Sequence, residues 1–132
     1  MLNKKLYDYR LKQKILYIDK VNQNVLQNYS NSFLEEGLLS DALDFYQKAN
    51  DKSGMQKIKD IAFDNGDVML FQQAAKALHL ELKPADWEGI GDKAIGLKKY
   101  YFAQHALEKA NNEEKLNSLM KIIKTEKDGK NA

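Results

Sequence analysis

The chain has 132 residues, of which 43% are hydrophobic and 30% charged, and its formal net charge is +2 at pH 7. This composition predicts one soluble globular domain and excludes an intrinsically disordered chain. The absence of cysteine excludes disulfides, thiolate metal sites and a cysteine nucleophile, while a single proline and seven glycines favour an all-helical fold.

Hydropathy along the chain argues against a membrane protein. No apolar run approaches the roughly 18 residues that a membrane-spanning helix needs. The first ten residues become charged before any apolar region develops, so we expect no secretory signal and take a cytoplasmic location as the default.

The first predicted element is an amphipathic helix over residues 1–20, with a break expected near Asp19–Gln23. Leu2, Leu6 and Tyr9 recur at helical spacing, and six basic against two acidic side chains give this segment a net charge of +4. Three roles stay open for it: the cap of a helical stack, a docking or dimerisation helix, and a basic helix on a membrane surface. Downstream, the same spacing favours a buried face that includes Val25 and Tyr29.

From residue 22 the chain repeats, and we predict three helical hairpins over 22–50, 52–79 and 84–110. Their turns align at Gly37, Gly66 and Lys98, with offsets of 29 and 32 residues. The alignment superposes Phe33 on Ala62 and Ala94 in the first helices, and Ala42 on Phe71 and Ala103 in the second helices. Phe71 therefore stands where the other two hairpins have a small residue.

Local residue chemistry predicts where the helices begin. Ser40 and Asp67 follow the turn glycines and are candidate N-caps, and Pro84 suits a first helical position. Ser53 to Gln56 has the spacing of a capping box, and Asn111 to Glu114 has the pattern of another helix start. We predict a closing helix over 112–125 that buries four apolar residues, followed by a disordered tail over 126–132. Those four are Leu116, Leu119, Met120 and Ile123.

The third hairpin carries the most specific pattern. Trp87, Ile90-Gly91 and Ala94 lie in its first helix, and Tyr100, Ala103, Leu107 and Ala110 lie in its second. This arrangement resembles the tetratricopeptide repeat, and it is also similar to the helical arms of coatomer and intraflagellar-transport subunits. The resemblance implies an all-α, short right-handed superhelix that forms a single domain over residues 1–125.

A superhelix of this kind implies a concave groove lined by the first helices. The function we expect is therefore a non-catalytic protein-interaction module that binds a peptide or a partner helix, of unknown identity, in that groove. Register with the repeat places these residues in the groove: Asn24, Gln27, Asn28, Asn31, Gln56, Lys57, Asp60, Asp64, Glu88 and Asp92. The four amides of the first hairpin suit pairing with a ligand backbone, although a solvated polar face is the simpler interpretation.

Two other functional classes remain open. A structural subunit would form a homodimer or a coat-like assembly through the N-terminal helix and the open end of the stack. A nucleic-acid binder would use the basic ends of the chain, and its affinity would fall steeply with salt and be lost when five basic residues near the N-terminus are neutralised. Those residues are Lys4, Lys5, Arg10, Lys12 and Lys14.

Catalysis, cofactors and metals are not expected from the sequence. His79 and His105 lie 26 residues apart without carboxylate or thiol neighbours at ligand spacing. The chain has no phosphate loop and no nucleophile elbow, and Gly89, Gly91 and Gly96 fall inside a predicted helix without dinucleotide spacing.

Overall fold

The computed structural model describes residues 22–131, which form seven α-helices and no strand. The helices are α1 (Gln23–Glu35), α2 (Leu39–Lys48), α3 (Lys52–Asp64), α4 (Val68–Ala77), α5 (Pro84–Gly96), α6 (Tyr100–Lys109) and α7 (Glu113–Asn131). The all-α prediction is confirmed for this part of the chain. The predicted helix over 1–20 lies outside the described residues, and the superhelical geometry stays a prediction.

The chain divides into two compact units, Met1–Ile58 and Lys59–Ala132. The first holds α1, α2 and the beginning of α3, and the second holds the rest of α3 together with α4 to α7. In the second unit α6 packs against α5 and α7, and α4 contacts both α5 and α6. The prediction of a single domain over 1–125 stays a prediction.

Three aromatic rings form the centre of the first unit. Phe45 of α2 is fully buried, and its ring stacks on Tyr29 and Phe33 of α1 at centroid distances of 5.5 and 5.3 Å. Ser30 is also fully buried, because its hydroxyl donates to the backbone carbonyl of Leu26 at 2.8 Å and so leaves no unpaired polar atom. The buried face of α1 therefore runs through Leu26, Ser30 and Phe33. The predicted face was wrong at Val25, which is 39% exposed.

The predicted hairpin turns at Gly37, Gly66 and Lys98 are confirmed. All three residues have left-handed backbones, with φ of 74, 62 and 60°. In each turn the residue that follows donates its N–H to a carbonyl five positions earlier, the bond that closes a Schellman motif. These bonds are Leu38 to Phe33, Asp67 to Ala62 and Lys99 to Ala94, at 2.9, 2.9 and 2.8 Å. The accepting residues are the three that the repeat alignment superposed.

A second set of identical turns links the hairpins, and the sequence did not reveal it. Asn50, His79 and Asn111 have φ of 53, 57 and 56°, and the residue after each one closes the same type of bond. Asparagine and histidine tolerate this conformation better than most residues do. His79 therefore has a backbone role at the end of α4.

Two of the predicted helix starts were wrong. α2 begins at Leu39, before Ser40, and its N-cap residue Leu38 makes no side-chain hydrogen bond. α3 begins at Lys52, where Asp51 accepts the N–H of Gly54 at 3.0 Å, so Asp51 takes the role predicted for Ser53.

The other predicted starts are confirmed. Asp67 accepts the N–H of Leu70 at 3.1 Å and caps α4. α5 begins at Pro84, and Asn112 accepts the N–H of Lys115 at 3.0 Å at the start of α7. Each cap satisfies a backbone donor that the first helical turn leaves without a partner.

The closing helix is longer and more exposed than predicted. α7 continues to Asn131, so residues 126–131 extend the helix where a disordered tail was expected. Leu119 is fully buried as predicted, Leu116 and Ile123 are half-buried, and Met120 is 50% exposed. One side of α7 therefore presents apolar surface.

Candidate partner-binding cleft

The predicted groove residues of the first unit form an exposed polar stripe. Asn24, Gln27, Asn28 and Asn31 lie on the exposed side of α1, and Gln56 and Lys57 are exposed on α3. Asn31 is partly engaged, since its side-chain oxygen accepts the Tyr46 hydroxyl at 3.3 Å. Burial raises the pKa of that hydroxyl, and the charge of Asp51 raises it further. Tyr46 therefore remains a neutral donor near pH 7.

Glu88 and Asp92 pair with the first turns of α7 instead of lining an open groove. Glu88 accepts a hydrogen bond from the side-chain amide of Asn112 at 3.2 Å. Both carboxylate oxygens of Asp92 accept from the Lys115 ammonium, at 3.1 and 2.8 Å. The hydrogen bond with Asp92 raises the pKa of Lys115. These two predicted site residues therefore hold α7 against α5.

Asp60 and Asp64 line an open cleft of about 410 Å³ in the second unit. The cleft is built by the end of α3, by α4 and by the start of α5. Its lining residues are Lys59, Asp60, Phe63, Asp64, Phe71, Ala85, Asp86 and Gly89. Of the ten predicted groove residues, the structure brings only these two aspartates into the cleft.

Two aromatic rings form the apolar wall of this cleft: Phe63 is partly exposed, whereas Phe71 is buried, with 4% of its surface exposed. Phe63 and Phe71 lie 5.9 Å apart between ring centroids and are tilted by 54°. Lys59 places its ammonium 5.0 Å from the Phe71 centroid, within range of a cation–π interaction. Sequence analysis missed the wall, although the large Phe71 among small residues was a usable signal for it.

Gly89 keeps the cleft open. A Cβ atom at this position would meet only the Phe63 ring edge, at 3.8 Å, which is an ordinary van der Waals contact. A longer side chain would extend beyond that contact into the cleft. Gly89 lies within α5, so its backbone conformation does not demand glycine. Its lack of a side chain instead leaves space open in the cleft.

The cleft is acidic. Three carboxylates and one ammonium line it, so its formal charge is −2. Asp86 also accepts the Lys83 N–H at 2.9 Å at the start of α5. An aromatic wall beside carboxylates fits a ligand that presents both apolar and cationic groups.

A second cleft of about 410 Å³ lies between α6 and α7. Its lining residues are Lys98, Tyr100, Tyr101, Gln104, Met120 and Ile123. Tyr101 is 92% exposed. The Tyr100 hydroxyl donates to Glu126 at 2.7 Å, and this hydrogen bond raises the pKa of Tyr100. The second cleft is thus more apolar than the first, with one neutral tyrosine held by α7.

The histidines take part in packing and backbone geometry. His105 lies 3.4 Å from the Gln72 side-chain oxygen and meets the Trp87 ring edge-on, with centroids 6.0 Å apart. Within residues 22–131, no three histidine or carboxylate side chains are placed to hold a metal ion.

Comparison of the chain with protein-family models, curated proteins and solved structures found no match. Among the residues that the structure describes, no helix has both the length and the apolar character needed to cross a membrane. We therefore infer function from the two clefts and the surfaces around them.

Proposed function

We propose that this chain is a non-catalytic protein-interaction module that binds a segment of a partner protein in the cleft of α3, α4 and α5. The observation that carries the proposal is an open cleft with an aromatic wall, Phe63 and Phe71, and a rim of carboxylates. Its volume of about 410 Å³ lies within the range of roughly 300–1,000 Å³ usual for ligand sites. Aromatic anchors are also common at the centres of protein interfaces, where a polar rim surrounds them.

The exposed amides of α1 are a separate candidate contact surface in the first unit. Asn24, Gln27 and Asn28 offer donors and acceptors to solvent from one side of a helix, and an extended backbone can pair with both kinds of group. These contacts would be individually weak, because water competes for them. We therefore assign the main binding energy to the aromatic cleft of the second unit.

The test selects short peptides from a random library on the wild-type chain and then measures their affinity for a blocked variant. Gly89→Gln places a neutral side chain into the cleft, while Gly96→Gln makes the same change at a glycine of α5 with no atom within 4 Å of its Cβ position. We expect Gly89→Gln to weaken binding at least about tenfold, because a steric block costs more than about 1.4 kcal/mol. Gly96→Gln is expected to leave the affinity unchanged.

Circular dichroism controls for folding, since both variants replace a helical glycine and are expected to keep the wild-type spectrum. If no selected peptide distinguishes Gly89→Gln from wild type, the cleft is not the binding site. If the library yields no binder at all, the interaction function itself is contradicted.

A second candidate function, a self-assembling structural subunit, is favoured by the apolar cleft between α6 and α7. Tyr101 and Met120 are 92% and 50% exposed there, and exposed apolar patches often mark association surfaces. We expect light scattering to show a mass that rises with concentration for wild type. The variant Tyr101→Lys/Met120→Lys is expected to show a lower mass than wild type at each concentration, because two charges on the patch oppose its burial. A wild-type mass that stays monomeric at all concentrations contradicts this candidate.

A further inference from the structure

We propose that the cleft lined by Phe63, Phe71 and Asp64 binds the basic N-terminal segment, residues 1–20, of a second copy of this chain. The inference rests on the proposed function, since it names the occupant of the same cleft. Opposite charge and matching apolar character lead to this occupant.

The N-terminal segment and the cleft carry opposite charges. The segment carries +4, from six basic and two acidic side chains, and the cleft lining carries −2. All three cleft carboxylates, Asp60, Asp64 and Asp86, are exposed. Complementary charges of this kind speed association and favour one partner over others, and their effect falls with salt. The cleft between α6 and α7 lacks this match, because the charged residue in its lining is Lys98.

The N-terminal segment also has an apolar stripe that matches the aromatic wall of the cleft. Leu2, Leu6 and Tyr9 are spaced by four and three residues, which places them on one face if the segment is helical, as its sequence predicts. An apolar stripe bordered by lysines is a common form of helix that docks into a groove. Phe63, the partly exposed ring of the wall, would cover the stripe while Asp64 and Asp86 face the lysines at its edges.

A cation–π contact of the proposed kind already exists within the cleft. Lys59 of the same chain lies over the Phe71 ring, with its ammonium 5.0 Å from the centroid. This contact shows that the ring face accepts a cation. Phe71 is only 4% exposed with Lys59 in place, so an incoming lysine reaches the ring only if Lys59 moves away, and Lys59 also lowers the negative charge of the cleft. Lys59→Gln is therefore expected to strengthen binding of the segment.

The experiment mixes two full-length variants, chosen so that only the segment of one copy can bind the cleft of the other. One copy carries Gly89→Gln, which blocks the cleft and leaves the segment intact. The other carries Lys4→Gln/Lys5→Gln/Arg10→Gln, which weakens the segment and leaves the cleft intact. The Gly89→Gln copy carries a fluorescent label and is followed by sedimentation velocity while the unlabelled copy is added in excess.

We expect the labelled copy to sediment faster as the unlabelled copy is added, until the shift saturates. The concentration of unlabelled copy that gives half of this shift is expected to be at least about tenfold higher at 0.5 M than at 0.05 M NaCl. Adding Gly89→Gln to the unlabelled copy is expected to abolish the shift, whereas adding Gly96→Gln preserves it. Adding Lys59→Gln to the unlabelled copy is expected to lower the concentration that gives half of the shift. Association through α6 and α7 would survive the added Gly89→Gln, and that result overturns the inference.

The outcome separates the inference from the proposed function. If the labelled copy does not shift while library peptides still bind in a Gly89-dependent manner, the N-terminal segment is not the occupant and the interaction cleft stands. If neither the second copy nor any library peptide responds to Gly89→Gln, both proposals fail. Two copies that exchange segments in both directions form a closed dimer, whereas one-way contacts build a longer chain of copies.

Discussion

Replacing Phe45 with alanine is expected to lower the free energy of unfolding by about 3–5 kcal/mol, the largest single effect we predict. Phe45 is fully buried in the first unit, between Tyr29 and Phe33. Truncation removes the ring from both stacks and leaves a cavity that two large rings, held by their own helix, fill only in part. Lost burial and an unfilled cavity then add to each other.

Urea unfolding followed by circular dichroism measures this change. The midpoint is expected to fall for Phe45→Ala, with a slope close to that of the wild-type chain. Val25→Ala is the matched control, because it truncates an apolar side chain of α1 that is 39% exposed and is expected to change stability by less than about 0.5 kcal/mol. Equal losses in the two variants would mean that the stack is not the centre of this unit.

The helical hairpins were readable from the sequence because their turns have strict local requirements. A left-handed residue closes each helix, and glycine meets that requirement at Gly37 and Gly66. Lys98 has no such preference, but register with the two glycines identified it. The linking turns at Asn50, His79 and Asn111 were missed because asparagine and histidine occur in many other settings.

The errors at helix starts have a similar local origin. Ser53 has the spacing of a capping residue, yet the left-handed turn at Asn50 ends α2 and places Asp51 at the start of α3. A carboxylate in that position caps as well as a hydroxyl does. The sequence contained both candidates, and the preceding turn decided between them.

The candidate site was predictable only in part, because it depends on contacts between distant residues. Register along α3 selected Asp60 and Asp64, and both line the cleft. It could not show that Asp92 pairs with Lys115, which is 23 positions away in the chain. Such pairings follow from how helices pack, and no local pattern encodes them. An irregular residue in a repeat, such as Phe71, was the better guide to the cleft.

Gly54→Ala is the second large effect, with an expected loss of stability of about 1–3 kcal/mol from overpacking. A Cβ atom built on Gly54 would lie less than 3.0 Å from ring atoms of Tyr46, including the ring carbon bonded to the Tyr46 Cβ atom. That ring carbon can move only by rotation about the Cα–Cβ bond of Tyr46 or with the backbone of α2. The hydroxyl at the far end is also held, because it donates to Asn31.

Helix propensity opposes this loss and must be weighed against it. Alanine is better than glycine in a helix interior by about 1 kcal/mol, so the substitution would stabilise α3 if there were room. Gly89→Ala is the matched control, since the nearest atom to its Cβ position is 3.8 Å away. We expect thermal unfolding to show a lower midpoint for Gly54→Ala and an equal or higher one for Gly89→Ala. A higher midpoint for Gly54→Ala would show that the Tyr46 ring yields at little cost and that the packing around it is loose.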